Sequence, residues 1–343
     1  MPPAARASRS PHRIETIRTL LRSGEVSRAL QQVGDRWSHL IMRDAFLGVR
    51  RFEDLRRRTG ASRGTLTARL NAMVDIGLLY RSPYGSAPSR LEYRLTEKGL
   101  DFYPVAIFMW AWEKRWGGQY GLPLRLVHAT CGKPLSPSIV CAHCDLPVEW
   151  HDLAYAPGPG APHYATSPPA TRRRENAAQS PGEGVDTTMF HCVDTIGDRW
   201  TALLVGTLLF GLHRYDDINA ALGIATNILA DRLRRLLAAG VIEQRPYQEH
   251  PPRYEYHLTS KGWDFFKFTI AMHEWGTRWV PAPHGPGLLL RHLPCGHRLR
   301  TRLICASCHG SVEAREVKMR GSTVTRESQR RGGNGKKPLV RRT

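Results

Sequence analysis

Long apolar runs are missing from this chain. The longest, Thr201 to Leu212, falls short of the roughly 18 residues that a membrane-spanning helix needs, so no span is expected. The N-terminal stretch MPPAARASRSPHR is basic but has no apolar segment behind it, which argues against secretion. Cysteine is scarce: seven in 343 residues are too few for a disulfide scaffold. Acidic residues are outnumbered, 30 against 50 Lys+Arg, which leaves a formal charge of +20. Such a surplus points to a polyanionic partner, nucleic acid first and an anionic membrane second. There is no P-loop, no G-x-S-x-G, no H-E-x-x-H and no convincing acid pair, so no enzymatic activity is expected. The expectation is a soluble, cytoplasmic, nucleoid-associated protein that does not engage a membrane.

What the chain does have is a repeat. Gly34-Asp35-Arg36-Trp37 returns as Gly197-Asp198-Arg199-Trp200, and the offset of 163 holds without a gap to Trp116 and Trp279. Thirty of these 83 positions are identical, where chance would give about 5. One ancestral module has been fused to its copy. The expected division is a basic flexible N-terminus (1–24), a first module (25–120) and a Cys-rich element (121–150). A Gly/Pro/Ser-rich linker (151–185) follows, then a second module (186–283), a second Cys-rich element (284–317) and a basic disordered tail (318–343).

Each copy reads as helix, helix, short turn, helix, β-hairpin, helix. In copy one, helical stretches are expected over 26–33, 37–47 and 52–58. Ser62 is suited to cap the next helix, whose Leu66, Leu70 and Met73 recur at helical spacing. Runs 78–82 and 91–95 form a hairpin around Pro83 to Pro88, and Thr96 caps one long last helix carrying Phe102, Phe108, Trp112 and Trp116. The fold class is therefore mainly α with small β-hairpins (α+β): two winged helix-turn-helix domains in tandem, each followed by a Cys-rich element.

The strings GDRW, RF-x-DL, GLL-x-R-x-PY and EYRLT-x-KG of copy one resemble the HxlR-type winged helix-turn-helix transcription regulators. Copy two, with RWTALLVGTLLFG and YEYHLTSKG, resembles them more closely. The resemblance implies a sequence-specific DNA-binding regulator, with repression the first expectation. It also implies homodimers that pair through terminal helices on palindromic operators. A fused pair departs from that: the copies pair with each other or with another chain. A largely non-specific chromosome-associated protein is the alternative. Some relatives sense oxidants through a cysteine about thirteen residues before the tryptophan. Gly24 and Thr187 stand there, and Cys192 reads better as a small buried apolar residue.

A major groove admits one α-helix, and residues near its N-terminus reach the base edges. In copy one these are Ser62, Arg63, Thr65 and Thr67, with Arg69 toward a phosphate; in copy two the positions are Ala225, Thr226, Ile228 and Ala230, with Asn227 and Arg232 as the polar residues nearby. Arg63 suits a guanine and Asn227 an adenine. The unlike helices predict an asymmetric target. Arg90 and Arg253 at the wings are placed for phosphates or the minor groove. Against this stand an intramolecular ion pair for Arg69 and Arg232, and a solvated hairpin tip for Arg90 and Arg253. Trp37, Trp200, Trp112 and Trp275 read as core or dimer-interface residues.

Six of the seven cysteines fall in two H-x2-C-G-x8-C-x2-C strings. Tetrahedral zinc takes four N or S ligands, and C-x2-C presents two thiolates to one ion. Two structural Zn²⁺ are expected, one on His128, Cys131, Cys141 and Cys144, the other on His292, Cys295, Cys305 and Cys308. A reduced thiol cluster and a reversible redox switch are the other readings. His143 and His297 are weaker ligands, since neither has a counterpart in the other copy.

Overall fold

The structure, a computed structural model, describes residues 10–85, 90–117, 125–163 and 185–320. The expectations for residues 1–9, the wing tip 86–89, the linker segment 164–184 and the tail 321–343 lie outside the described residues.

The chain opens on helix α1 (Pro11–Ser23). Module one then runs α2 (Glu25–Val33), α3 (Arg36–Phe46), α4 (Phe52–Thr59), α5 (Arg63–Asp75), β1 (Leu79–Pro83), β2 (Leu91–Leu95), α6 (Glu97–Leu100) and α7 (Tyr103–Trp116). Strands β3 (Arg125–His128), β4 (Pro137–Cys141) and β5 (Leu153–Pro157) follow. Module two repeats the order as α8 (Phe190–Ile196), α9 (Arg199–Leu209), α10 (Tyr215–Leu222), α11 (Thr226–Ala238), β6 (Ile242–Gln248), β7 (Arg253–Leu258), α12 (Ser260–Trp263) and α13 (Phe265–Trp279). Strands β8 (Leu288–His292), β9 (Thr301–Cys305) and β10 (Val317–Arg320) close it.

Local chemistry explains the frame. In the repeated Gly-Asp-Arg-Trp, the aspartate starts a helix: Asp35 accepts hydrogen bonds from the backbone N–H of Trp37 and Ser38, both at 3.1 Å. Asp198 does the same for Trp200 and Thr201 at 3.1 and 3.2 Å. Gly60 and Gly223, at φ +73° and +63°, end α4 and α10 in the left-handed conformation that glycine adopts most readily. On α5, Leu66, Leu70 and Met73 are fully buried, as their spacing predicts.

The expected single last helix is broken in both copies, into α6 and α7 and into α12 and α13. Pro104 sits at the start of α7, but Lys267 holds the equivalent place in copy two, so proline is not the common cause. What the break does is free a carbonyl. In module one Phe102 N–H bonds to Gly99 O rather than to Lys98 O. The freed Lys98 carbonyl accepts from Trp275 Nε1–H of the other copy at 3.1 Å, and Lys261 O accepts from Trp112 Nε1–H at 3.0 Å. Two further tryptophans repeat the exchange, Trp116 to Asp264 at 2.7 Å and Trp279 to Asp101 at 2.6 Å. Every one of these contacts has its mirror when the copies are swapped. Helices α7 and α13 pack on each other, α2 lies on α13, and α8 lies on α7. At Gly276 a Cβ would stand 2.6 Å from Glu25 O, so only glycine lets α2 approach α13 this closely. Trp112 and Trp275 are buried between the copies; Trp37 and Trp200 are only half-buried.

All three strands of each Cys-rich element pair with the other copy. The antiparallel ladders are β3 with β10, β4 with β9, and β5 with β8. In the β4–β9 ladder Ile139 faces Leu303, its own equivalent.

Three expectations of disorder are corrected here. Residues 11–23, expected flexible, form α1, whose Ile17, Leu20 and Leu21 are buried and which packs on α10 and α9 of the other copy. The linker does not begin at 151, because 153–157 pair as β5 with β8. The tail begins later than 318, because β10 extends to Arg320. In each case the order comes from a partner far away in sequence, which composition does not register.

His39 is buried with neither ring nitrogen hydrogen-bonded, and its ring lies 6.3 Å from those of Phe102 and Phe268. Burial pushes its pKa down to about 4, against the pull of Asp35. Because the unfolded chain holds that proton more tightly, the group's stability contribution is full above pH 6.5 and is lost as pH falls toward 4. His39→Leu is expected to remove about 3 kcal/mol of acid sensitivity between pH 6.5 and 4, read as the difference between urea-unfolding curves of variant and parent. Parallel pH profiles would show that His39 is not the group responsible.

Candidate nucleic-acid interface and metal clusters

Helices α4 and α5 form one helix-turn-helix and α10 and α11 the other, each followed by its wing. Ser62 caps α5 by accepting from Thr65 N–H at 3.1 Å, which sets the helix start just before the proposed readers. Ser62, Arg63 and Thr67 are exposed, and Thr65 is half-buried. Arg63, 71% exposed, reaches Glu53 Oε1 of α4 at 2.5 Å and lies over the Phe52 ring at 5.3 Å. Hydrogen bonds from Arg56 and then the charge of Arg63 hold the Glu53 carboxyl below its ordinary range. A base or phosphate must therefore draw Arg63 from a charged partner. In α11, Ala225 provides no side-chain cap, and Thr226 and Asn227 are exposed. Asn227 Oδ1 accepts from Ile228 N–H at 2.9 Å, a bond it must release to pair with adenine through both amide atoms.

Arg69 and Arg232, expected toward phosphates, turn inward. Arg69 is 3.0 Å from Asp35 and Arg232 is 3.2 Å from Asp198, with side chains 16% and 20% exposed. Each braces the aspartate that caps α3 or α9, the intramolecular ion pair weighed as the other reading. Arg90 and Arg253 are exposed at the wings. At the wing bases Arg51 stacks over Tyr84 at 4.8 Å and Arg214 over Tyr247 at 4.1 Å, the same pair in each copy. Sequence reading passed over Arg56, Arg57 and Arg234, which are 45%, 62% and 75% exposed on the helix-turn-helix units. Their charge was visible; their outward direction depends on which helix face the core takes.

All eight expected metal ligands come together, but in different sets. His128 and Cys131 meet Cys305 and Cys308, while Cys141 and Cys144 meet His292 and Cys295, with the ligand atoms of each set within 4.8 Å of one another. The grouping by copy is thus corrected: every set takes two residues from each copy. The cause is the crossed strand pairing, which carries each Cys-x2-Cys turn to the His-x2-Cys turn of the other element. Gly132, Asp145, Gly296 and His309, each just past its turn, all have positive φ, so four turns share one tight geometry.

The spacing suits zinc. Bonds of about 2.3 Å to sulfur and 2.0 Å to nitrogen in a tetrahedron put S···S near about 3.8 Å and S···N near about 3.5 Å. Cys131 and Cys308 lie 3.4 and 3.3 Å from His128 Nδ1, Cys144 and Cys295 both lie 3.4 Å from His292 Nδ1, and Cys141 is 3.9 Å from Cys295. His128 Nε2 is 3.2 Å from Ser311 O, a contact that keeps the proton on Nε2 and the Nδ1 lone pair free. Burial pushes the Cys305 thiol up, but backbone N–H groups of Ser307 and Ser136 and the nearby thiols of Cys308 and Cys131 bring it down to about 7. His143 and His297 take no part in either set; their rings stack on each other at 3.4 Å. Cys192 is fully buried, and burial raises its thiol pKa well above the ordinary value, as befits a packing residue.

A family model described as HxlR-like helix-turn-helix matches residues 32–120 and 195–284. An uncharacterized HTH-type transcriptional regulator from Mycobacterium tuberculosis is 44% identical over 140 residues, covering 39% of this chain and 86% of that protein. The HTH-type transcriptional regulator YvaP of Bacillus subtilis is 37% identical over 89 residues, 26% of this chain and 82% of YvaP. A solved structure of a transcription-factor candidate from Pseudomonas aeruginosa is 30% identical, covers 40% of this chain and 94% of its own, and has a TM-score of 0.32. Among the described residues no helix is long and apolar enough to cross a membrane.

Proposed function

The chain belongs to the HxlR-like helix-turn-helix family, whose module it carries twice, and from that premise we propose that it is a DNA-binding transcription regulator, not an enzyme, whose two modules act together as a pseudo-dimer on one duplex. The observation that carries the reading is the reciprocal exchange of Trp112 to Lys261 O and Trp275 to Lys98 O. Contacts that mirror each other are the mark of a two-fold interface, and a two-fold interface is how helix-turn-helix proteins present two recognition helices to successive half-sites. Here that interface lies within one chain. Pairing of two chains through these same surfaces would require the present contacts to open first.

Base reading falls to Ser62, Arg63, Thr65 and Thr67 on α5 and to Thr226 and Asn227 on α11, with Arg90 and Arg253 on the flanking backbone or minor groove. Arg69 and Arg232 act indirectly, by holding the helix-turn-helix rigid. Occupying two half-sites about one helical turn apart would occlude polymerase, so repression is the proposed outcome. Each Cys3His cluster is read as a structural zinc site: all four ligands are protein groups, which leaves no open position for catalysis.

Selection of bound duplexes from a random pool at physiological salt tests the reading. Two unlike half-sites are expected to enrich. Tight binding without enrichment, collapsing as salt rises, would instead identify a non-specific chromosome-associated protein.

A further inference from the structure

The position of the metal clusters in the chain carries a further inference, which rests on the zinc reading above. We propose that the two Cys3His sites are crossed staples between the modules, so that zinc occupancy sets whether the two recognition helices are held at a fixed separation. A zinc site built from one copy alone would stabilise that copy and leave the other indifferent. These sites cannot act so. His128 and Cys131 stand 164 residues from the equivalent His292 and Cys295, yet each pair finds its complement in the opposite element. Each ion therefore bonds to both halves of the molecule.

The strand ladders show how directly the ions act on the junction. His128 ends β3, which pairs with β10; Cys141 ends β4, which pairs with β9; His292 ends β8, which pairs with β5; and Cys305 ends β9. Ala142 N–H bonds to Arg300 O and Ala306 N–H to Ser136 O, both at 2.8 Å, so the Cys-x2-Cys turns are also tied across by backbone. Tyr103, the first residue of α7, donates its hydroxyl to Val312 O beside the Cys305–Cys308 turn. Through that contact one cluster reaches the helix at the centre of the module interface. Without the ions, three thiols and an imidazole crowd each site, and the paired turns are left with those two backbone bonds, the His143–His297 stack, the Arg302–Asp145 ion pair and short two-stranded ladders, which are marginal alone. Zinc-driven ordering is ordering of the two-module assembly.

Two double variants of the full chain separate crossed from uncrossed sets. C131S/C305S removes two ligands from one crossed set and leaves the other whole, so one tightly bound zinc per chain is expected to remain, with two in the parent. C131S/C141S takes one ligand from each crossed set, so both sites weaken and no tightly bound zinc is expected. Metal content after dialysis against a mild chelator gives the count, and cobalt(II) substitution gives the spectrum of a Cys3His site independently of any effect on stability. The opposite pattern, one zinc in C131S/C141S and none in C131S/C305S, overturns the crossing. A parent that binds no zinc overturns the zinc reading itself. For the coupling, stripping zinc from the parent is expected to weaken binding to a two-half-site duplex by about tenfold or more while leaving binding to a single half-site within about twofold, since only the fixed separation is lost. Unchanged two-half-site affinity in the stripped protein would leave the metal sites standing but overturn their control of spacing.

Discussion

Trp275→Ala is expected to destabilise the protein by about 3–5 kcal/mol, among the largest effects of any single truncation here. The indole is 2% exposed and sits edge-on to Phe102 with centroids 5.3 Å apart. It also supplies the hydrogen bond to the carbonyl that the break between α6 and α7 leaves open. Truncation thus empties a large buried volume between the copies and strands a half-buried backbone acceptor. Trp112→Ala is expected to match it, since Trp112 stacks on Phe265 at 4.6 Å and serves Lys261 O in the same way. Thermal unfolding should show each variant melting about 4–7 °C lower, at about 1.4 °C per kcal/mol for a chain of this length. The two losses should combine to less than their sum, because either one already opens the shared interface. A cost below about 1 kcal/mol for both variants would mean that the modules are held together elsewhere.

Exchanging the recognition residues is expected to change the target more than any stability effect could. Placing the α5 side chains on α11, through Ala225→Ser, Thr226→Arg, Asn227→Gly, Ile228→Thr and Ala230→Thr, makes the two reading surfaces alike. The preferred site should change from two unlike half-sites to a palindrome built from the copy-one half-site. Affinity for the original site should fall by roughly tenfold to several hundredfold, since each mismatched base pair costs about 1–3 kcal/mol. Competition binding with both duplexes reads this directly. If the original site is still preferred, the exchanged residues do not read bases. The pairing of Arg63 with Glu53 sharpens the point. Asp216 stands where copy one has Glu53, and its side chain is one methylene shorter. The arginine introduced by Thr226→Arg should therefore be held less firmly by α10 than Arg63 is by α4.

Much of this protein was legible before any coordinates. The duplication follows from comparing the chain with itself at an offset of 163. The α+β class, the order of the winged helix-turn-helix elements and the helix cap at Ser62 follow from patterns within about 20 residues, where spacing and capping chemistry act locally. The eight candidate ligands follow from residue type and spacing in the same way. Burial of Leu66, Leu70 and Met73 was a matter of period alone.

The partners were another matter, and tertiary structure alone decided them. His-x2-Cys followed by Cys-x2-Cys reads as one site when only the chain is considered, because nearby ligands are cheapest in entropy to bring together. The observed sets cross because β4 pairs with β9, and β3 and β8 pair with β10 and β5, so the lowest-energy ladders run between the copies. The same cause orders α1, β5 and the end of β10, whose compositions suggest solvent-exposed chain. Arg69 and Arg232 turn inward for a different reason: packing within each copy brings them onto aspartates that lie 34 residues earlier. Local sequence determined each element and the chemistry it carries; which copy that chemistry meets was settled by packing between surfaces distant in the chain.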